Sequence, residues 1–152
     1  MSIGAICHRD LVYVHRDVTV SAAAKLMRHY HVGSLVVVDE QDGKRVPVGV
    51  ITDRDIVVKV AAMNLNAAAM TVGDVMAPDG ATAPASLGLI EAVALMRLRG
   101  VRRLPVVDSE NGLVGIVTID DLLRVLAQAL ADVAHVVSQE PQKYWREGCG
   151  RG

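Results

Sequence analysis

One pattern occurs twice in this chain, and it limits the fold more than any other feature. Gly49-Val50-Ile51-Thr52-Asp53-Arg54-Asp55-Ile56-Val57 returns as Gly115-Ile116-Val117-Thr118-Ile119-Asp120-Asp121-Leu122-Leu123. Each copy has a glycine, a short β-branched run, a threonine, an aspartate three residues later, and then an apolar helical pattern. The β-branched run reads as a buried strand. The Thr-x-x-Asp reads as the first turn of a helix, with the threonine capping and the acid at the third position. Such a capping box needs no ligand. The same geometry also suits one. A helix start offers free N–H groups and a partial positive charge to a phosphate. A hydroxyl beside a carboxylate can hold the paired hydroxyls of a ribose.

The repeat extends well beyond this motif. Leu26-Met27 matches Leu95-Met96, and Val37-Val38-Asp39 matches Val106-Val107-Asp108, a shift of 108 − 39 = 69 positions. Thr52 matches Thr118 at a shift of 118 − 52 = 66, so the second copy is shorter in the loop 40–46. A repeat of this kind decides architecture before any single element does.

The first copy reads as a strand at Leu11–Val14 and a helix capped by Thr19 or Ser21 that runs to about His29. A strand at Ser34–Val38, a turn over Asp39–Lys44, a return strand at Val48–Ile51 and a helix from Asp53 to about Met63 follow. The second copy reads as a short strand near Ala81–Ala83, a helix over Leu89–Leu98 ended by Gly100, strands at Leu104–Val107 and Leu113–Val117, and a last helix from Ile119 to about Val137. Its apolar stripe is expected to be Leu122, Leu126, Leu130 and Val133. The fold class is therefore α+β, with two β-α-β-β-α units. They are expected at 1–70 and 71–138, with a polar tail at 139–152. One unit has too small a sheet to bury both faces. Two units about a pseudo-twofold axis would share a core and leave two clefts, each beside a sheet edge and a helix start.

Composition narrows the function classes. Apolar residues make up 51% of the 152 residues, and aromatics only 3%, with no Phe. Formal net charge is −1. A nucleic-acid partner would call for a basic footprint and stacking aromatics, and neither is present. No apolar run reaches the ~18 residues of a membrane span, and no leader peptide is evident, so a cytoplasmic protein is expected. Cys7 and Cys149 form no disulfide framework, which fits a reducing compartment. Of the five histidines, His29 and His31 are too close for a helical ligand pair, so no metal site is expected. No nucleophile with its base stands out, the neighbours Asp120 and Asp121 do not face each other, and no enzyme is expected. Tyr144 and Trp145 are candidates for anchoring a partner, or else belong to a loose chain end.

The two copies together resemble a pair of cystathionine β-synthase (CBS) domains. The residues that carry the likeness are Thr19 to Ala23 entering Leu26-Met27, Val32 to Asp39, and Gly49 to Asp55. In the second copy they are Asp74-Val75-Met76, Glu91-Ala92 to Met96, Val101 to Asp108, and Gly115 to Asp121. At its entry the first copy departs from the pattern, with Ala5-Ile6-Cys7 where the second has Asp74-Val75-Met76.

This resemblance implies a regulatory module for adenosine derivatives such as AMP, ADP, ATP, NAD(H) or S-adenosylmethionine. It places the ribose on Thr52 and Asp55 at one site, and on Thr118 and Asp121 at the other. The adenine would lie against Gly33, Ser34 and Leu35, or against Arg103, Leu104 and Pro105. The segment before the first helix of each copy would line the pocket, at Val14 and His15 and at Ala83 and Pro84. Arg54 and Lys59 could meet a phosphate at the first site or be solvated helix charges. Arg102 and Arg103 take that place at the second. A homodimer and a regulated protein partner are also implied. The competing expectation is an interaction module without ligand, in which both Thr-x-x-Asp boxes are caps alone.

Overall fold

The computed structural model describes residues 1–78 and 80–148, the stretch 140–148 by its backbone alone. It is mixed α+β, with two small sheets and five α-helices among the described residues. In the first half, β1 (Tyr13–His15) leads to α1 (Val20–Tyr30), β2 (Ser34–Gln41), β3 (Lys44–Thr52) and α2 (Asp53–Ile56). In the second, α3 (Val72–Val75) and β4 (Ala77–Pro78) precede β5 (Ala83–Pro84), α4 (Leu89–Arg99), β6 (Arg103–Val107), β7 (Leu113–Thr118) and α5 (Ile119–Gly148). The first sheet has the order β1-β2-β3-β4 and the second β5-β6-β7. In each, the short first strand runs parallel to the middle strand, and the hairpin is antiparallel.

Local chemistry accounts for the element ends. Thr19 caps α1 by accepting from the Ala22 N–H at 3.1 Å. The hairpin between β2 and β3 turns at Asp42-Gly43, both with positive φ, the tight Asp-Gly turn that matches strand twist. The strands therefore pair out to Gln41 and Lys44, beyond the apolar run that marks them in the sequence. The helix begun by α2 widens into a π-turn over Val57–Ala61, where Ala62 N–H bonds to Val57 O at 2.8 Å. The first strands are short and begin later than the sequence suggests, at Tyr13 rather than Leu11 and at Ala83 rather than Ala81. Leu11 and Val12 stay outside the sheet.

The copies exchange their opening segments. Ile3, with Ile6 and Cys7, packs into the core of the second half beside Ala92, Met96, Leu104, Val117 and Leu122. Val72 and Val75 of α3 pack into the core of the first half beside Val20, Leu35, Val37 and Ile51. Their backbone bonds correspond: Ile3 N–H to Leu87 O at 2.8 Å, and Val72 N–H to Val18 O at 2.7 Å. Each opening segment then crosses the edge of a sheet. β4 pairs with β3 at Gly49 and Val50, and His8 bridges to Ile116 of β7.

Gly49 and Gly115 are explained by that crossing. A Cβ on Gly115 would lie 2.6 Å from His8 O, and one on Gly49 would lie 2.7 Å from Ala77 O. The motif glycine leaves room for the neighbouring copy's backbone.

The last helix differs most from the sequence reading. It continues past Val137 to Gly148, so helix covers most of the expected tail. Its inner face is Asp121 and Leu122. Leu130 and Val133, expected on the buried stripe, are 71% and 61% exposed because α5 runs off the end of the second core. The side chains of Tyr144 and Trp145, and Cys149 altogether, lie outside the described residues.

Candidate functional site

Both Thr-x-x-Asp motifs sit where a strand ends and a helix begins. At the second, Asp121 Oδ2 accepts from Thr118 N–H at 2.9 Å and from Thr118 Oγ1 at 2.7 Å. At the first, Asp55 Oδ2 accepts from Thr52 N–H and from Thr52 Oγ1, each at 3.0 Å. These are capping boxes, and each uses one carboxylate oxygen. The other oxygen has a basic side chain beside it. Lys59 Nζ is 3.1 Å from Asp55 Oδ1 and also donates to Val75 O at 3.1 Å. His8 Nε2 is 2.9 Å from Asp121 Oδ1, with Arg124 Nη1 further off at 3.8 Å.

Asp121 is the single polar side chain among the buried residues described. Its burial pushes the carboxyl pKa up, but hydrogen bonds from His8 and Thr118 outweigh that and hold it below the ordinary aspartate range. Asp55 follows the same balance, with Thr52 and Lys59 outweighing its burial.

A cavity of about 300 Å³ opens beside Thr118. Its walls are Leu11, Val12, Val32, Val36 and Ile116, and its polar rim is His8, Asp10, Gly33, Ser34, Arg103 and Thr118. That size is at the lower end of the ~300–1,000 Å³ of small-molecule sites, and the mix of aliphatic walls and few polar groups is typical of them. A larger hollow of about 530 Å³ lies between the two hairpin turns, crossed by the Lys44–Glu110 ion pair. It contains neither motif.

The predicted residues separate into three groups. Gly33 and Ser34 line the same cavity as Arg103 and Thr118, although the sequence assigns them to different sites. The pairing of Ser34 with Thr52 and of Arg103 with Thr118 across the hairpins brings both pairs to the middle of the molecule. Leu35, Leu104, Val14 and Ala83 point into the two cores, and Pro105 is buried with them. Pro84 is exposed, pairing with Val107 at the sheet edge. His15 faces Glu40 at 3.9 Å. Arg54 and Arg102 are exposed, and Arg102 O accepts from Ile119 N–H just as Gly33 O accepts from Asp53 N–H.

His8, Asp10, Leu11 and Val12 are cleft residues that the motif reading does not single out. The shift of 69 carried back to the start of the chain sets Cys7 and His8 on Met76 and Ala77. That alignment marks the segment as the partner of the second motif's glycine.

The CBS domain family model matches this chain over residues 3–62 and again over 72–128. The chain belongs to the CBS-domain family. An uncharacterized protein of Methanopyrus kandleri is 35% identical over 147 residues, spanning 97% of this chain and 71% of that protein. Among solved CBS structures, CBSX2 in complex with AMP is 28% identical with a TM-score of 0.69, over 84% of this chain and 97% of that one. The CBS domain pair of protein MJ0100, in complex with 5′-methylthioadenosine and S-adenosyl-L-methionine, is 26% identical with a TM-score of 0.72, over 85% and 98%. Those two CBS pairs are thus each solved with an adenosine-containing molecule bound. No helix among the described residues is long and apolar enough to cross a membrane.

Proposed function

We propose that this CBS pair is a regulatory module that binds an adenosine-containing ligand (AMP, ADP, ATP, NAD(H) or S-adenosylmethionine) and passes its occupancy to a partner or a second copy. The observation that carries the reading is the Thr118–Asp121 pair at the rim of an aliphatic cavity, at the start of a long helix. Thr118 Oγ1 and Asp121 Oδ1 take the vicinal hydroxyls of the ribose. The adenine lies between Val12, Val32 and Ile116, with backbone at Gly33 and Ser34 in reach of its polar edge. Arg103 meets a phosphate where the ligand has one. Thr52 and Asp55 repeat the arrangement at the first site, with Arg54 and Lys59 as its cations. The resemblance of the fold to two nucleoside-bound CBS pairs supports the ligand class.

A second copy is the partner we favour. Leu123, Leu130, Val133 and Val137 of α5 are each more than 60% exposed, at spacings of 7, 3 and 4. That spacing is a seam for another helix.

The test is a thermal-shift and calorimetric screen with AMP, ADP, ATP, NAD, NADH and S-adenosylmethionine. Binding is expected to be lost or much weakened in Thr118→Ala/Asp121→Ala for the second site and in Thr52→Ala/Asp55→Ala for the first. Unchanged binding in both double variants refutes the ribose assignment. One observation favours a ligand-free interaction module instead: each threonine and aspartate already satisfy each other as a cap. On that reading the variants lose about 1 kcal/mol per cap, and no nucleotide moves the melting curve.

A further inference from the structure

α1 and α4 are the same helix of the repeat, and their inner faces agree. At the shift of 69, Ala23 and Met27 of α1 correspond to Ala92 and Met96 of α4, and all four are buried. The outer faces do not agree. Ser21, Lys25 and His29 follow one another along α1 at the i, i+4 spacing of one helix face. The same three positions of α4 are Ile90, Ala94 and Leu98. Ile90 is 68% exposed and Leu98 79%. The second core is met by Ala92 and Met96 on the opposite side, so Ile90 and Leu98 are not there for internal packing.

The neighbouring helix adds to this surface. α5 packs beside α4 and exposes Leu123, Leu130, Val133 and Val137. With Ile90 and Leu98, these aliphatic residues present on the order of 700 Å², close to the ~800 Å² that each partner buries in a standard interface. The pattern on α4 is also complementary to itself. Ala94 is its middle, with Ile90 and Leu98 four residues to either side and Glu91 and Arg97 three to either side. A twofold axis through Ala94 sets Ile90 against the second copy's Leu98, and Glu91 against the second copy's Arg97. The small Ala94 lets the two backbones approach at the crossing.

We propose that a second copy of this chain docks on α4, its own α4 antiparallel to the first and centred on Ala94, so that second half meets second half. This rests on the second-copy reading above, to which it adds the helix, the half and the direction. The antiparallel direction follows from the charges. A parallel pairing would set Glu91 against Glu91 and Arg97 against Arg97, like charges at close range. The antiparallel one pairs opposite charges and also opposes the two helix dipoles. Docking α1 in place of α4 would bury Lys25 and His29, polar groups with nothing apolar to cover.

The test uses the full chain in a Cys149→Ser background. Ile90→Asp and Leu98→Asp each raise the dimer dissociation constant in sedimentation equilibrium by about 100-fold, because a twofold interface loses each contact twice. Both side chains are in solvent in the single chain, so the circular dichroism of the variants stays that of wild type. Glu91→Arg and Arg97→Glu each weaken the dimer by about tenfold, and the two together restore it to within about threefold. Under mild oxidation Ala94→Cys gives a covalent dimer on a nonreducing gel. In an equal mixture with Lys25→Cys chains, the disulfide joins position 94 to position 94. A disulfide from 94 to 25 means that first half faces second half and overturns the docking. So does a dimer that survives both aspartate variants and forms no disulfide at 94, and either result leaves the second-copy reading standing. A protein that stays monomeric at every concentration overturns both.

Discussion

Replacing Gly115 by alanine tests the crossing that builds the second cleft. The added Cβ would sit 2.6 Å from His8 O, 2.9 Å from Cys7 Sγ and 3.2 Å from His8 C. Ordinary contact begins at 3.4 Å, so the backbone carbonyl must retreat by 3.4 − 2.6 = 0.8 Å. That carbonyl is one half of a reciprocal bridge. His8 N–H gives to Ile116 O at 2.9 Å, and Ile116 N–H gives to His8 O at 3.0 Å. Losing both bonds costs ~1 kcal/mol each, and overpacking adds ~1–3 kcal/mol. Stiffening of the unfolded chain by alanine returns ~0.4–1 kcal/mol. The net expectation is a loss of about 2–4.5 kcal/mol, out of the ~5–15 kcal/mol typical of a domain. With an m-value of ~2 kcal/mol/M, the urea midpoint should fall by about 1–2 M. Gly49→Ala should behave alike, since its Cβ would meet Ala77 O at 2.7 Å. Gly100→Ala is the control, with nothing within 4 Å of its Cβ and only the cost of a positive φ, ~1 kcal/mol. If Gly115→Ala unfolds within ~0.5 M of wild type, the crossing segment is not packed as described.

Two further outcomes follow from the same geometry. Asp55 and Asp121 are held below the ordinary aspartate range in the fold, so their contribution to stability is complete above about pH 4. It is lost as pH falls through the lowered values, and Asp55→Asn/Asp121→Asn should flatten the acid limb of a melting-temperature profile below about pH 4. Leu130→Asp or Val137→Asp, both on the exposed seam of α5, should shift the protein toward monomer in sedimentation velocity while leaving the melting temperature of the monomer unchanged. An unaltered sedimentation coefficient in both variants would remove α5 as the contact between copies.

Much of the fold can be read from the chain because its signals are local. The β-branched runs, the Asp42-Gly43 turn, the Thr19 cap and Gly100 each depend on a few consecutive residues. Repetition then supplied the architecture. What escaped is nonlocal. Nothing within Ile3 to His8 shows that it packs in the far half, because burial of Ile3 against Ala92 and Leu104 is a property of the assembled pair. The same holds for α3, whose Val72 and Val75 fill the first core. The site shows the same division. The threonine and aspartate are legible as a spacing, whereas Leu11, Val12 and His8 enter only through that exchange. The extension of α5 past Val137 is not legible in the sequence because a helix that leaves the core no longer needs an apolar face with period 3.6.

The exchange also bears on why two motifs of one origin would answer differently to their surroundings. Each Thr-x-x-Asp is built by its own hairpin and helix, so the threonine–aspartate geometry is nearly the same in both. The residue set against the outer oxygen comes from a different source each time: from the helical segment at Lys59, and from the opening segment of the chain at His8. Changes in that opening segment can retune the second cleft without touching the motif. Where Ala77 stands, no side chain reaches for the first aspartate, and the lysine two turns into the helical segment takes the place. Lys59 also holds Val75 O at the end of α3, so the first clamp is tied to the exchanged segment that packs into the first core.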